Sequence, residues 1–93
     1  MRVFVIVSQV EYEDYPCQSY CEGVVTKREN AMAIANELLD KKIKSWVEEI
    51  ENVESEEDIE VSRYDNTMAY SLFNTVNDID YYRIDIYEKE VEE

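Results

Sequence analysis

Residues 58–73, DIEVSRYDNTMAYSLF, carry the pattern that decides the fold of this chain. If Asp65-Asn66 forms a two-residue turn, opposite residues of the two flanking strands share one face of a sheet. These pairs are Arg63 with Met68, Val61 with Tyr70 and Ile59 with Leu72. The pattern predicts an antiparallel hairpin. A short helix across Met68 to Val76 stays open as the competing interpretation, because the apolar residues there also suit helical spacing and the turn lacks glycine.

Upstream of this hairpin, residues 26–50, TKRENAMAIANELLDKKIKSWVEEI, predict one long amphipathic helix. Thr26 and Glu29 fit a capping box, which places the N-cap at Thr26. Trp46 lies on the apolar stripe, where a tryptophan is expected in the core rather than as an exposed anchor. The stripe, at three- and four-residue steps, consists of Ala31, Ile34, Ala35, Leu38, Leu39, Ile43, Trp46, Val47 and Ile50.

Strand patterns flank the helix and close the chain. Val3 to Val10 is apolar on both faces, which predicts a central strand covered at least in part on both sides. The polar residues 11–19 are expected to connect it to a second strand, Tyr20 to Val25, with Gly23 at a bulge. Ile79 to Tyr87 alternates cleanly, and one face of this strand consists of Tyr82, Ile84 and Ile86.

These elements predict a single domain over residues 1–93 of the α+β class. Its order is β-β-α-β-β-β, an antiparallel sheet of about five strands with one long amphipathic helix packed on one face. We expect the first and last strands to be neighbours near the centre of the sheet.

Composition restricts the partners. The chain has 23 acidic and 9 basic residues, no histidine and a net charge of −14. Direct binding to nucleic acid is not expected, because a phosphate backbone would be repelled. A basic protein surface, including the nucleic-acid groove of another protein, is the expected partner. The opening segment is too short for a signal peptide and no apolar run suits a membrane span, so we expect a soluble, intracellular protein without membrane contact.

Residue types that support catalysis are scarce. There is no nucleophile elbow, glycine-rich phosphate loop or metal-ligand spacing, so we expect no enzyme, no catalytic residue, no cofactor and no metal. Cys17 and Cys21 match neither a zinc nor a redox pattern, and both reduced thiols and a disulfide stay open.

The acidic residues are unevenly placed along the chain. Residues 1–47 hold 7 acidic and 6 basic residues, whereas residues 48–93 hold 16 acidic and 3 basic ones. Acids at the helix C-terminus oppose the helix dipole, as do Lys27 and Arg28 at its N-terminus. Carboxylates along a helix end and strands can approximate the spacing of phosphates. The candidate partner-binding residues are Glu48, Glu49, Glu51, Glu54, Glu56, Glu57, Asp58, Glu60, Tyr64, Asp65 and Asp78.

In the character of its sequence segments, the chain resembles small β-β-α-β proteins encoded by bacteriophages and other mobile elements. The features that carry the likeness are the opening MRVFVIV, the passage GVVTKRENAMAIANELL and the tyrosine-rich, acidic last strand. In charge and size it is similar to the DNA-mimicking inhibitors among them, the anti-CRISPR and anti-restriction proteins. The resemblance implies inhibition of a host defence nuclease in the bacterial cytoplasm. Those inhibitors share no single fold, so no residue role is transferred.

The leading hypothesis is therefore a non-enzymatic inhibitor whose acidic surface occupies a basic groove of a nuclease. The alternative is a structural or regulatory interaction module, a homodimer that pairs a sheet edge or a Tyr/Ile face. A third hypothesis is a binder of a small ligand or nucleotide signal, which requires basic residues to cluster in space. The residues concerned are Lys27, Arg28, Lys41, Lys42 and Arg83.

Overall fold

The computed structural model describes residues 1–12, 15–50, 53–64, 66–77 and 79–92. Five strands form one antiparallel sheet, and one long helix lies across one of its faces, which is the α+β architecture predicted from the sequence. The elements are β1 (Arg2–Tyr12), β2 (Tyr15–Val25), α1 (Arg28–Glu49), a short 3₁₀ helix (Glu56–Asp58), β3 (Ile59–Tyr64), β4 (Ala69–Asn74) and β5 (Tyr81–Glu90).

The strand order is β2-β1-β5-β4-β3. The first and last strands are therefore neighbours, as predicted, and Ile6 of β1 lies opposite Ile86 of β5. Because β5 runs between β1 and β4, it joins the N-terminal hairpin to the C-terminal hairpin in one sheet. Its alternation is also as predicted, since Tyr82, Ile84 and Ile86 are buried beneath the helix.

The core lies between α1 and one face of the sheet. The predicted apolar stripe of α1 supplies the helix side of the core. Trp46 is only 1% exposed, so the prediction that this tryptophan lies in the core is confirmed. On β1 the residues under the helix are buried, whereas Val3, Val5 and Val7 on the other face are half-buried. No described helix covers that second face, so the expectation that β1 is covered at least in part on both sides is met by α1 on one face and by partial burial alone on the other.

The C-terminal hairpin forms, but its register is shifted by two residues from the prediction. Tyr64 pairs with Ala69 and Arg63 with Tyr70, so the paired strands end farther apart in sequence than a two-residue turn at Asp65-Asn66 requires. Met68, predicted to pair with Arg63, lies in this connection with a left-handed φ of 55°. Two-residue turns favour glycine, which the hairpin sequence lacks, and its absence favours a longer connection. A helix from Met68 is not formed.

Because a shift of two preserves the face of every residue, the predicted separation of faces survives the error in register. Tyr70 and Leu72 are buried as expected. Val61, opposite Leu72, is nevertheless 39% exposed, since β3 is an edge strand that α1 covers poorly.

The predicted capping box at Thr26 is wrong. The N-cap is Lys27, which has extended backbone angles and no side-chain capping bond, and α1 begins at Arg28. The backbone N–H of Ala31 donates to the carbonyl of Lys27 at 3.2 Å. The physical reason is that Val25 is still paired with Phe4 in the sheet, so the chain needs one further residue before it can turn into the helix.

The second strand is longer than predicted, because most of the expected connection at 11–19 is strand. Pro16 is tolerated in β2 because this is an edge strand, where a missing N–H need not break a ladder. The register shifts between Ile6, opposite Gly23, and Val7, opposite Cys21. The predicted bulge is thus confirmed, with Glu22 as its extra residue.

Candidate acidic interface

The C-terminus of α1 is fixed at the end of the sheet where β1 finishes. The indole N–H of Trp46 donates to the hydroxyl of Tyr12 at 3.3 Å, and the two rings lie 6.4 Å apart. In the last turn, which contains no basic residue, Glu48 and Glu49 are exposed. The Ser45 hydroxyl donates to Glu49 at 3.1 Å. Both carboxylates therefore lie at the negative pole of the helix dipole.

The 3₁₀ helix that follows holds the next acids at the same end. Ser55 is its N-cap and accepts from the backbone N–H of Glu57 at 3.3 Å. One carboxylate oxygen of Asp58 accepts from the backbone N–H groups of Glu54 at 2.9 Å and Ser55 at 3.4 Å. Asp58 thus completes a capping box and is half-buried. The side chains of Glu54, Glu56 and Glu57 are exposed.

Two further acids lie where the strands end at this side of the sheet. One row across four strands runs from Glu60 of β3 through Phe73 of β4 and Tyr81 of β5 to Glu11 of β1. Three strand spacings of about 4.8 Å place the backbones of Glu60 and Glu11 about 14 Å apart. Glu11 was missed by the sequence analysis. The adjacency of β1 and β5, which was predicted, could have brought it to this edge.

We call this set of exposed carboxylates the acidic end; it consists of Glu11, Glu48, Glu49, Glu54, Glu56, Glu57 and Glu60. Within the described ranges none of them forms an ion pair with lysine or arginine. Three basic side chains pair with acids outside this set: Lys41 with Glu37 at 3.1 Å, Arg63 with Asp40, and Arg2 with Glu88. The acidic end therefore presents carboxylates without internal neutralisation.

Several predicted site residues have other positions. Tyr64 is 60% exposed but lies at the far end of β3, about 13 Å along the strand from Glu60. Asp58 belongs to the capping box, so its carboxylate serves the local backbone. Glu51, Asp65 and Asp78 lie outside the described residues. A ladder of acids along β3 is not formed, because Glu60 is its one acidic residue.

A second group of polar residues at this end is structural. The carboxylate of Asp80, which is 5% exposed, accepts from the amides of Asn74 at 3.2 Å and Asn77 at 2.9 Å. The amide oxygen of Asn77 accepts from the backbone N–H of Asp80 at 3.1 Å, and that of Asn74 accepts from Val76 at 3.0 Å. This network holds the connection between β4 and β5, and it fixes the edge from which Glu60 and Glu11 extend.

The sheet face opposite α1 has a different character. We call it the open face; it contains Val3, Val5, Val7, Val24, Phe73, Tyr81, Arg83, Asp85 and Tyr87. Val24 is 57% and Tyr87 49% exposed, and both flank Val5. Near its centre the guanidinium of Arg83 donates to Asp85 at 2.8 Å, and this hydrogen bond raises the pKa of Arg83. The open face is thus apolar around one neutralised ion pair near its centre, and it carries Glu11 and Glu60 of the acidic end at one edge.

The basic residues do not all cluster. Lys41 and Lys42 line a cleft of about 460 Å³ between α1 and the sheet. Lys27 and Arg28 are at the start of α1, and Arg83 is on the open face. Among the described residues no group of three His, Cys, Asp or Glu side chains is placed to hold a metal ion. Cys17 and Cys21 are free and exposed.

Comparison with models of protein families, with curated proteins and with solved structures gave no match. Among the described residues, no helix has the length and apolarity needed to cross a membrane.

Proposed function

We propose that the protein is a non-enzymatic inhibitor whose acidic end occupies a basic nucleic-acid-binding groove of a nuclease. The observation that carries this proposal is the collection of exposed, unpaired carboxylates from four separate segments at one end of the molecule. These segments are the end of β1, the last turn of α1, the 3₁₀ helix with its approach, and the start of β3. A groove lined by lysine and arginine would replace the missing ion pairs.

Placing these acids together has a cost that the fold does not require. Glu48 and Glu49 each oppose the helix dipole at an expense of about 0.3–1 kcal/mol. Like charges on neighbouring elements add to the self-repulsion of a chain with net charge −14. Substitution with neutral polar residues would remove both penalties without disturbing the core. A function in binding a cationic surface accounts for the presence of acids at these positions.

More narrowly, we propose that the inhibited enzyme is a nuclease of bacterial host defence. The protein would then be an anti-CRISPR or anti-restriction inhibitor that acts in the cytoplasm. This part of the proposal is supported by the resemblance in charge, size and style to phage-encoded DNA mimics. The partner contributes the basic groove, and the protein itself contacts no nucleic acid.

The experiment is an inhibition assay with purified defence nucleases, including an RNA-guided effector and a restriction enzyme. For its cognate nuclease the protein should block cleavage of duplex DNA at about one molecule per active complex. The inhibition should weaken as salt rises from about 50 to about 300 mM, because ion pairs at an exposed interface are screened. Inhibition that does not respond to salt, or protection caused by binding to the DNA itself, would contradict the proposal.

The open face favours a second candidate function, an interaction module that forms a homodimer. Its extent, roughly 600–700 Å² from strand number and length, approaches the area of about 800 Å² that a stable interface buries on each partner. Its central charges, Arg83 and Asp85, neutralise each other, so two copies can meet around Val5, with Glu11 and Glu60 at the edge of the contact. Sedimentation equilibrium distinguishes this candidate: a dimer that Val24→Lys dissociates supports it, whereas a monomer at about 100 μM refutes it.

A further inference from the structure

The cleft between α1 and the sheet exists because a polar residue interrupts the buried face of β1. Along that face Phe4 and Ile6 are followed by Ser8, which is 1% exposed. A serine fills much less volume than the phenylalanine and isoleucine before it, and the cleft lies between this part of β1 and the C-terminal half of α1. Burying a hydroxyl in a core costs free energy unless it is hydrogen-bonded. Ser8 therefore calls for a reason other than packing.

The bulge in β2 provides the partner for this serine. At the bulge, Glu22 is the extra residue between Gly23, opposite Ile6, and Cys21, opposite Val7. Bulges re-aim side chains, and here the carboxylate of Glu22 reaches the helix-covered side, where it accepts from the Ser8 hydroxyl at 2.7 Å. One wall of the cleft is thus a carboxylate held in place by a buried hydroxyl.

The opposite wall, on α1, is cationic. The ammonium of Lys42 lies 5.0 Å from the centre of the Tyr82 ring, and Lys41 lines the same cleft. Lys42 forms no ion pair within the described part of the chain, although acids outnumber bases by more than two to one in the sequence. Tyr82 forms the floor, and burial, followed by the charge of Glu22, raises the pKa of its hydroxyl to about 12. The phenol is therefore protonated at neutral pH.

From this arrangement we infer that the cleft binds a small zwitterion with a carboxylate and an ammonium group, such as a free amino acid. The ligand carboxylate meets Lys42, since Lys41 is already paired with Glu37, and the ligand ammonium meets Glu22. The volume of about 460 Å³ lies within the range of small-molecule sites. A zwitterion suits this chain better than a phosphate ester, because a net-neutral ligand is not repelled by a protein of charge −14. This inference is independent of the acidic end.

The test is a titration of the full chain, followed by amide chemical shifts, with the twenty amino acids, AMP and inorganic phosphate as probes. At least one amino acid should bind with a dissociation constant below about 1 mM and shift resonances of residues that line the cleft. Lys42→Gln and Glu22→Gln should each weaken that binding at least about tenfold, since each removes one charge-assisted contact. Both side chains are accessible, and the amide oxygen that Glu22→Gln introduces can still accept from Ser8, so the fold is retained.

The matched controls are Lys44→Gln and Glu29→Gln, exposed residues of α1 that do not line the cleft. They should leave the dissociation constant within about twofold of that of the unmodified protein. The inference is overturned if no amino acid binds with a dissociation constant below about 1 mM, if AMP or phosphate binds more tightly than every amino acid, or if the controls weaken binding as much as the cleft variants.

Discussion

Asp58 separates the structural acids from those available to a partner, and its replacement by alanine tests that division. The substitution removes the acceptor for the backbone N–H groups of Glu54, at 2.9 Å, and Ser55, at 3.4 Å. Loss of such a capping side chain costs about 0.5–2 kcal/mol. The second bond is long, and relief of repulsion from Glu57 returns a few tenths of a kcal/mol. We therefore expect a net loss of about 1 kcal/mol in the free energy of unfolding.

The assay is urea unfolding monitored by the fluorescence of Trp46, which is the one tryptophan in the sequence and is buried. For a domain of this size a loss of about 1 kcal/mol corresponds to a fall of roughly 4–8 °C in Tm. Glu57→Ala is the matched control, because it removes the same charge from the same 3₁₀ helix without removing a capping bond. It should change stability by less than about 0.5 kcal/mol.

Asp58→Asn provides the second comparison, because the asparagine oxygen can accept the same bonds and asparagine caps helices about as well as aspartate. It should retain most of the stability that the alanine variant loses. If Asp58→Ala is as stable as Glu57→Ala, the assignment of Asp58 to the local backbone is refuted. Equal losses of stability in Asp58→Asn and Asp58→Ala would show that the charge, rather than the capping bonds, stabilises this turn.

Four other substitutions, one of them combined with a pH titration, test separate parts of the structure. Asp80→Ala should lower the free energy of unfolding by about 1–3 kcal/mol, because it leaves the buried amide of Asn74 without its acceptor; urea unfolding measures this. Glu48→Lys should raise the free energy of unfolding by about 0.3–1 kcal/mol, because a cation interacts favourably with the dipole at the helix C-terminus. Unchanged or lower stability would show that the helix dipole does not disfavour Glu48. Trp46→Ala should cost about 3–5 kcal/mol and lower Tm accordingly, which calorimetry can measure. The pKa of Tyr82 is raised from 10.0 to about 12. The stability that the protonated phenol contributes is therefore complete below pH 10 and is lost as the pH rises towards 12. Tyr82→Phe should remove this part of the decline in the urea midpoint at high pH.

The sequence predicted the elements whose patterns are long and regular. The apolar stripe of α1 and the alternation of β5 depend only on periodicity, and both form as expected. The adjacency of β1 and β5 also agrees with the apolar character of these strands. The hairpin of β3 and β4 was placed on the correct faces because its register error was an even number of residues.

Features that depend on backbone geometry or tertiary contacts were missed. The sequence does not reveal that Met68 takes the left-handed conformation, since non-glycine residues rarely do so. The capping box at Thr26 fits the local pattern but is overridden by the pairing of Val25 with β1. Similarly, Asp58 resembles its acidic neighbours in sequence, and only its hydrogen bonds distinguish it. Glu22 was missed because the bulge changes the side to which it points.

In the proposed function, the position of the charges on the surface, rather than the net charge, determines which partner the protein binds. The most direct measurement is a competition assay in which each of two variants with the same net charge displaces labelled duplex DNA from the target nuclease. One neutralises the acidic end with Glu→Gln at Glu54, Glu56, Glu57 and Glu60. The other neutralises four acids at the opposite end, Glu29, Glu88, Glu90 and Glu92. We predict that the first loses at least about tenfold in affinity and the second less than about threefold; equal losses in both would contradict the account.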